Sequence, residues 1–285
     1  TWDSAKAIRE KVTAGTKVLI IGAGLIGLKC AEALHHLNAD ITVVDLADRI
    51  LPSILDVRAG EIMQKHIEDK GTKFILGTSV EQFSRNSAKL TNGDTVDFDI
   101  LVVAVGVRPN TELVSDAGGK VEKGIITDLH QQTTIDNVYA AGDCTVSHDC
   151  SSNTDRILAL LPNAFMQGEV AGKNMAGEET LYLNAIPMNA IGFYGLHIIT
   201  AGSYDGDEDI TEDADKEIYK KLVFKDGLLK GFILMGDVAR AGIYTSMIKE
   251  QIPLTEVDLD LLREKPQMMM FGKARREEKL AGKKH

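Results

Sequence analysis

The chain is poor in cysteine. Cys30, Cys144 and Cys150 are the only three in 285 residues, and they form neither a CxxC pair nor a zinc-binding spacing. A sparse, odd set builds no disulfide framework and fits a reducing, cytoplasmic setting. Basic charge is in deficit too: 32 Lys and Arg stand against 42 Asp and Glu, for a formal net charge of −10. That argues against nucleic acid or an anionic membrane as the main partner. No apolar run approaches the roughly eighteen residues of a membrane-spanning helix. There is no signal-peptide pattern, internal repeat or low-complexity tract. What is present is ordinary for a globular protein, with 44% hydrophobic and 26% charged residues, and long enough for two domains. The first residues, Thr1-Trp2-Asp3-Ser4-Ala5, lack an initiator Met and run into a short helical pattern. This reads as a start partway into something longer, or as a trimmed terminus.

The most informative stretch is Lys17–Asp45. Five strand-like residues, Lys17–Ile21, lead into Gly22-Ala23-Gly24-Leu25-Ile26-Gly27. A helical pattern follows, with Leu28, Ala31, Leu34 and Leu37 on one side, and Ile41–Val44 returns as a second strand ending on Asp45. The chemistry of a dinucleotide explains each residue type. The first Gly allows a tight turn, the second lets the backbone approach a pyrophosphate, and the third lets helix and strand pack closely. The helix N-terminus presents free N–H groups and partial positive charge to the phosphates. Asp45, eighteen residues past Gly27, is placed to accept both ribose hydroxyls of the adenosine half and to repel a 2′-phosphate. The unit therefore selects NAD(H) over NADP(H). The alternative is a glycine-rich turn in another α/β fold.

Further along, Leu46–Pro52 reads as a loop, and Val57–Lys70 as a helix stopped by Gly71. A β-rich patch follows at Ser79–Phe83, Ala88–Thr91 and Thr95–Phe98, with Asn92-Gly93 as a hairpin turn. Ile100–Val105 is a continuous apolar run, expected of a strand buried on both faces. These elements make a first domain of residues 15–107, preceded by a lead-in helix over 1–14. Gly106-Val107-Arg108-Pro109-Asn110 leaves the carboxyl end of that strand, where ligands of open α/β sheets sit. It is either a dinucleotide contact or an exit loop. Val138–Ala141 is expected to be a buried strand ending on Gly142-Asp143, where a carboxylate suits a polyol hydroxyl. Pro162 opens a helix from Asn163 to about Met175. Residues 181–255 read as an α+β domain: Ile198–Ala201 as strand, Tyr204–Lys216 as an acidic exposed loop or edge, and Tyr219–Phe224 and Leu228–Met235 as a hairpin. Ala239–Lys249 completes it as a helix. Residues 256–285 form a charged tail, with a solvated terminal helix or a partner-binding segment over Lys273–His285.

The order of these pieces resembles the FAD-dependent pyridine nucleotide-disulfide oxidoreductases, especially NADH oxidases, rubredoxin reductases and NADH-dependent nitrite reductase large subunits. The resemblance is carried by Gly22–Gly27 with Asp45, Ala47–Pro52, Val105–Asn110, Val138–Cys144, and Pro162–Ala164 with Gln167-Gly168 and Ala171–Gly177. It covers about Asp3 to Gly177 and continues loosely to 253. It implies an α/β fold: a Rossmann-like three-layer NAD domain, part of an FAD domain over 108–180, and a small interface-type α+β domain. It implies that Asp143, after Gly142, contacts the FAD ribityl chain, and that the N-terminus of the Asn163 helix faces the flavin. The family's own first FAD motif would lie before Thr1, so FAD belongs to the complete enzyme rather than to this chain alone. Lys29 stands where many members carry Glu near the nicotinamide; it either meets a carboxamide oxygen, pairs with a carboxylate, or faces solvent.

The implied activity is hydride transfer from NADH to FAD and on to an acceptor. Oxygen, rubredoxin, a nitrite reductase module and a disulfide all stay open as that acceptor, and a homodimer is compatible. The candidate cofactor residues are Gly22, Gly24, Leu25, Ile26, Gly27, Lys29, Asp45, Gly106, Gly142 and Asp143, with no metal site. The competing reading is a non-catalytic NAD(H)-binding module without flavin. A flavin-free dehydrogenase is disfavoured by Val138–Asp143. Two weaker candidates are a Cys144/Cys150 redox pair, against free thiols, and a His148–Asp149 acid–base pair. His35-His36 read as surface residues at a helix end.

Overall fold

Residues 1–281 are described by a computed structural model, and the chain divides into two units. The first comprises Thr1–Val107 with two later segments, Ile191–His197 and Ala214–Glu217; the second holds the rest. In the first unit the elements run α1 (Trp2–Lys11), β1 (Lys17–Ile21), α2 (Leu25–His35), β2 (Asp40–Asp45), α3 (Val57–Glu68), β3 (Lys73–Leu76), β4 (Val80–Phe83), β5 (Ser87–Leu90), β6 (Thr95–Asp97) and β7 (Ile100–Val103).

A four-stranded parallel sheet, in the order β3-β2-β1-β7, carries this unit. Adjacent residues on β1 serve opposite faces. Ile20 lies beneath Gly27 of α2, while Leu19 joins Val44, Ala88, Leu90 and Phe98 in a core shared with the antiparallel β4-β5-β6 meander. The result is three layers: helix, parallel sheet, meander. Helix α2 buries Leu28, Ala31 and Leu34. Helix α3 is capped by Asp56, whose carboxylate accepts the Ala59 amide at 2.9 Å. One expectation is corrected here. The run Ile100–Val105 is not buried on both faces: Val103 and Val105 are 61% and 70% exposed. β7 ends at Val103 as an edge strand of the sheet, and Val105 lies beyond it, in the wall of an open cleft.

The second unit holds α4 (Glu112–Ser115), β8 (Ile125–Ile126), β9 (Thr145–Asp149), β10 (Thr154–Ile157) and α5 (Leu161–Met175). Next come β11 (Met188–Phe193) and β12 (Leu196–Gly202), whose residues 191–197 are counted with the first unit, then β13 (Asp207–Asp213), β14 (Ile218–Lys225), β15 (Leu228–Met235), α6 (Ala241–Lys249), α7 (Leu259–Glu264) and α8 (Lys273–Ala281). Strands β10-β9-β8 form a small sheet, and β11-β12-β15-β14-β13 a larger one. The expected β14–β15 hairpin turns at Asp226-Gly227, both with positive φ. The acidic stretch at 204–216 contributes β13, an edge strand. Phe232 of β15 packs on Tyr244 of α6 with ring centroids 5.4 Å apart, and Tyr244 donates its hydroxyl to Leu262 O at 2.8 Å. Burial pushes that phenol up to about 12. Part of the tail joins the core, through Leu262 of α7, Met270 and Phe271, while α8 has no buried residue among those described, as expected of a solvated helix. Residues 282–285 of the tail lie outside the described residues.

Val138–Ala141 is the second correction. It forms no strand and is only half-buried; Tyr139 makes a single bridge to Gln132. A strand needs pairing that continues along a neighbouring strand; here Val138 O accepts the Thr133 amide at 2.8 Å and the Ala140 amide donates to Gln131 O at 3.0 Å, but that neighbour is only a short bridge segment and no described strand lies alongside.

Candidate dinucleotide site

The glycine loop is shaped by close backbone approaches. Gly22 has φ +111°, and a Cβ there would collide with the carbonyl oxygen of Ala104. A Cβ on Gly27 would collide with the carbonyl oxygen of Gly22. Both positions therefore exclude a side chain. Gly24 differs: nothing lies within 4 Å of where its Cβ would be, so its face is open. It is also the N-cap of α2, with no side chain capping the helix and no acidic residue in the first turn. The first amides of α2 are left for an external acceptor.

Asp45 closes the arrangement. Its Oδ2 accepts the Ala23 amide at 2.5 Å and its Oδ1 the Ala47 amide at 2.8 Å. The carboxylate is thereby held between the glycine loop and the end of β2, with lone pairs remaining on both oxygens. A cleft of about 580 Å³ opens there. Of the sequence candidates in this unit, Gly22, Gly24, Leu25, Ile26, Asp45 and Gly106 line it. Gly27 lies behind it, as the packing contact. Sequence reasoning missed Leu46, Pro52, Ser53, Ser79, Ala104 and Val105, which complete the walls. The signal was available in the rule that ligands sit beyond the carboxyl ends of parallel strands: Leu46 follows β2, Ser79 follows β3, and Ala104-Val105 follow β7. The group that fits is a dinucleotide, since an open glycine cradle, uncapped amides and a carboxylate share one cleft.

Lys29 does not line the cleft. Its ammonium pairs with Glu32 one turn on, donates to Gly192 O at 3.0 Å and stands 5.4 Å from the Phe193 ring centre. Of the three sequence readings, pairing with a carboxylate is the arrangement found. Burial raises the Glu32 carboxyl, but the Lys29 ammonium and the Tyr194 amide outweigh it, so the group sits below its ordinary value.

In the second unit, Gly142 has φ +92° and donates its amide to Gln167 Oε1 at 2.6 Å; Asp143 is exposed. Gln167 also donates to Ser147 Oγ at 2.5 Å, tying this turn to α5 and β9. Helix α5 starts at Leu161-Pro162 with no side-chain cap. Asn163 is fully buried and bonded to Ile186 O and Tyr182 Oη. Its Leu161 and Phe165 are 84% and 74% exposed. Gly142, Asp143 and the start of α5 fit one side of a flavin nucleotide site. Among the described residues no second glycine-rich strand-turn-helix completes it.

The His148–Asp149 pairing is corrected. His148 Nδ1 meets Asp155 at 2.9 Å across the β9–β10 pair. Asp149 points to the opposite face, fully buried, accepting from Ser151 N, Ser151 Oγ, Ser152 Oγ and Arg156. Neighbours on a strand cannot share a face. The three cysteines are free thiols, and burial raises those of Cys30 and Cys150. Among the described residues no His, Cys, Asp and Glu cluster suits a metal, and no helix is long and apolar enough to cross a membrane.

The pyridine nucleotide-disulphide oxidoreductase family profile matches residues 1–168. The chain belongs to that family. Residues 187–252 match the C-terminal domain of rubredoxin NAD+ reductase. Among curated relatives, the epsilon subunit of an NADH-dependent phenylglyoxylate dehydrogenase from Aromatoleum evansii is 32% identical over 266 residues, covering 90% of this chain and 63% of that protein. A rubredoxin-NAD(+) reductase from Acinetobacter baylyi is 30% identical, covering 90% and 64%. The chain thus spans less than two thirds of either relative. A solved NAD-dependent persulfide reductase from A. fulgidus superposes with a TM-score of 0.79 at 25% identity, covering 90% of this chain and 52% of that one.

Proposed function

We propose that the chain binds NADH in the cleft of its first unit and forms the NAD side of an FAD-dependent NADH:acceptor oxidoreductase. The observation that carries this reading is the convergence of the uncapped α2 N-terminus, the open face of Gly24 and the anchored Asp45 carboxylate on one cleft. Leu25 and Ile26 supply amides to the pyrophosphate, Asp45 accepts ribose hydroxyls, and Gly106 borders the far wall. A fixed carboxylate repels a 2′-phosphate, which supports NAD(H) over NADP(H).

Gly142, Asp143 and the N-terminus of α5 are the FAD-side residues in this reading. FAD, when bound, takes hydride from the nicotinamide and passes electrons onward. The exposed Leu161 and Phe165 support a further part of a longer flavoprotein covering this side. The relatives named above include a rubredoxin reductase and a dehydrogenase subunit, and oxygen, rubredoxin, a nitrite reductase module and a disulfide stay open as the acceptor. A second reading, an NAD(H)-binding module without flavin, is favoured by the single complete glycine cradle among the described residues.

The deciding experiment is a titration of the purified chain with NADH and NADPH, following nicotinamide fluorescence and the visible flavin band together. NADH binding with weak NADPH binding supports the cleft assignment. A flavin band bleached by NADH supports catalysis by this chain, and NADH binding without that band supports the module. Binding of neither nucleotide overturns the assignment.

A further inference from the structure

Tyr194, in the turn segment 191–197, is gripped on every side by residues of the first unit. Its amide donates to Glu32 Oε1 at 2.6 Å, and its carbonyl lies 3.3 Å from His66 Nε2. Its hydroxyl meets Thr72 Oγ1 at 3.2 Å, and its ring stands edge-on to His35 with centroids 5.2 Å apart. Lys29 adds the bond to Gly192 O, and His66 Nδ1 reaches Glu217 in the second outlying segment at 2.8 Å. Backbone strain accompanies this fit, since Tyr194 has φ +51°. A bulky residue in that region persists only where its surroundings hold it there.

Three of these groups, Lys29, Glu32 and His35, belong to α2, the helix whose N-terminus borders the cleft. That helix is 11 residues long, is capped by Gly24, carries Gly27 in its first turn, and has no N-terminal side-chain cap. Helices of this length depend on their ends and on packing for order. Phosphates at the N-terminus supply the missing acceptors, and the last turns carry the Tyr194 receptor.

We propose that segment 191–197 is a latch whose closure is thermodynamically linked to dinucleotide binding through α2. Anion binding at one end orders the helix, and the ordered helix grips Tyr194 at the other; by reciprocity, a gripped Tyr194 tightens the nucleotide. The linkage rests on the NADH reading of the cleft. It makes Glu32 and Tyr194 positioning residues, neither of which lines the cleft.

The test is amide exchange of segment 191–197 in the full chain, with and without saturating NADH, beside NADH affinities of Glu32→Ala and Tyr194→Gly. Glycine tolerates the positive φ, so the second variant keeps the turn while deleting the ring and hydroxyl. Saturating NADH slows exchange at Tyr194 about fivefold or more, and each variant raises the Kd for NADH by a similar factor, as expected for a typical coupling. The double variant is no weaker than the single ones, because both break one latch. Unchanged exchange on binding NADH, or unchanged affinity in both variants, overturns the linkage alone. A wild-type chain that binds no NADH overturns the cleft assignment and the linkage together.

Discussion

Asp45 Oδ2 accepts the main-chain amide of Ala23 at 2.5 Å, so the last residue of β2 holds the glycine loop in place. The same carboxylate is offered to the cleft. Asp45→Ala removes both functions at once. Hydrogen bonds to a charged group contribute about 1.5–3 kcal/mol each, so the Kd for NADH rises by about ten- to hundredfold. Asp45→Asn keeps one acceptor and removes the charge that repels a 2′-phosphate, so discrimination against NADPH narrows more than NADH affinity falls. Parallel fluorescence titrations of the two nucleotides measure both effects.

Gly27→Ala places a methyl group against the Gly22 carbonyl. Backbone on both sides leaves nothing flexible to yield, and overpacking of this kind costs about 1–3 kcal/mol. Gly168→Ala, where nothing lies within 4 Å, replaces glycine inside α5 and stabilises by about 0.5–1 kcal/mol through helix propensity. Urea midpoints of the two variants move in opposite directions. Equal shifts contradict the packing assigned to Gly27.

Asp149 is fully buried and serves Ser151, Ser152 and Arg156. Asp149→Ala leaves the buried Ser151 donors without their acceptor, at a cost of about 1–3 kcal/mol, while Arg156, 44% exposed, turns to water. His148→Ala, which breaks only a bond to the exposed Asp155, costs less than about 1 kcal/mol. Denaturation curves of the two variants separate a structural Asp149 from an acid–base pair, which predicts similar, small losses of stability.

Glu32 sits below its ordinary carboxylate value. A lowered folded-state value means that its contribution is full above the ordinary range and is lost as pH falls through the folded value. Stability therefore declines as the solution is acidified below the usual carboxylate range. Glu32→Gln removes that part of the slope, since glutamine does not titrate. Thermal melts of both proteins between about pH 6 and pH 3, near the reference carboxylate value, test the sign. A variant slope equal to wild type rules the contribution out.

The dinucleotide unit was legible because its signals are local. Strand, glycine turn, helix and terminal Asp45 lie within 29 residues; Gly27 is demanded by the Gly22 carbonyl beside it and Gly22 by Ala104 just past the neighbouring β7, while Gly24 is open. The β14–β15 hairpin was legible for the same reason, through Asp226-Gly227. Val138–Ala141 misled because an apolar run records only a tendency to be buried. Whether it becomes a strand depends on a neighbour long enough to pair along it, and the segment 131–133 that bonds to it is too short to be one of the described strands. The weaker candidate pair His148–Asp149 is set aside because adjacency in a chain is opposition on a strand.

By itself, then, the sequence determined the family, the glycine turn and the place of Asp45 at the end of β2, since short-range spacing carries backbone sterics and helix-end electrostatics. Only the tertiary structure decided what Lys29 and Glu32 do. Their partners, Gly192 and Tyr194, lie more than 160 residues away, and no pattern within α2 records a contact made by folding the distant turn against it.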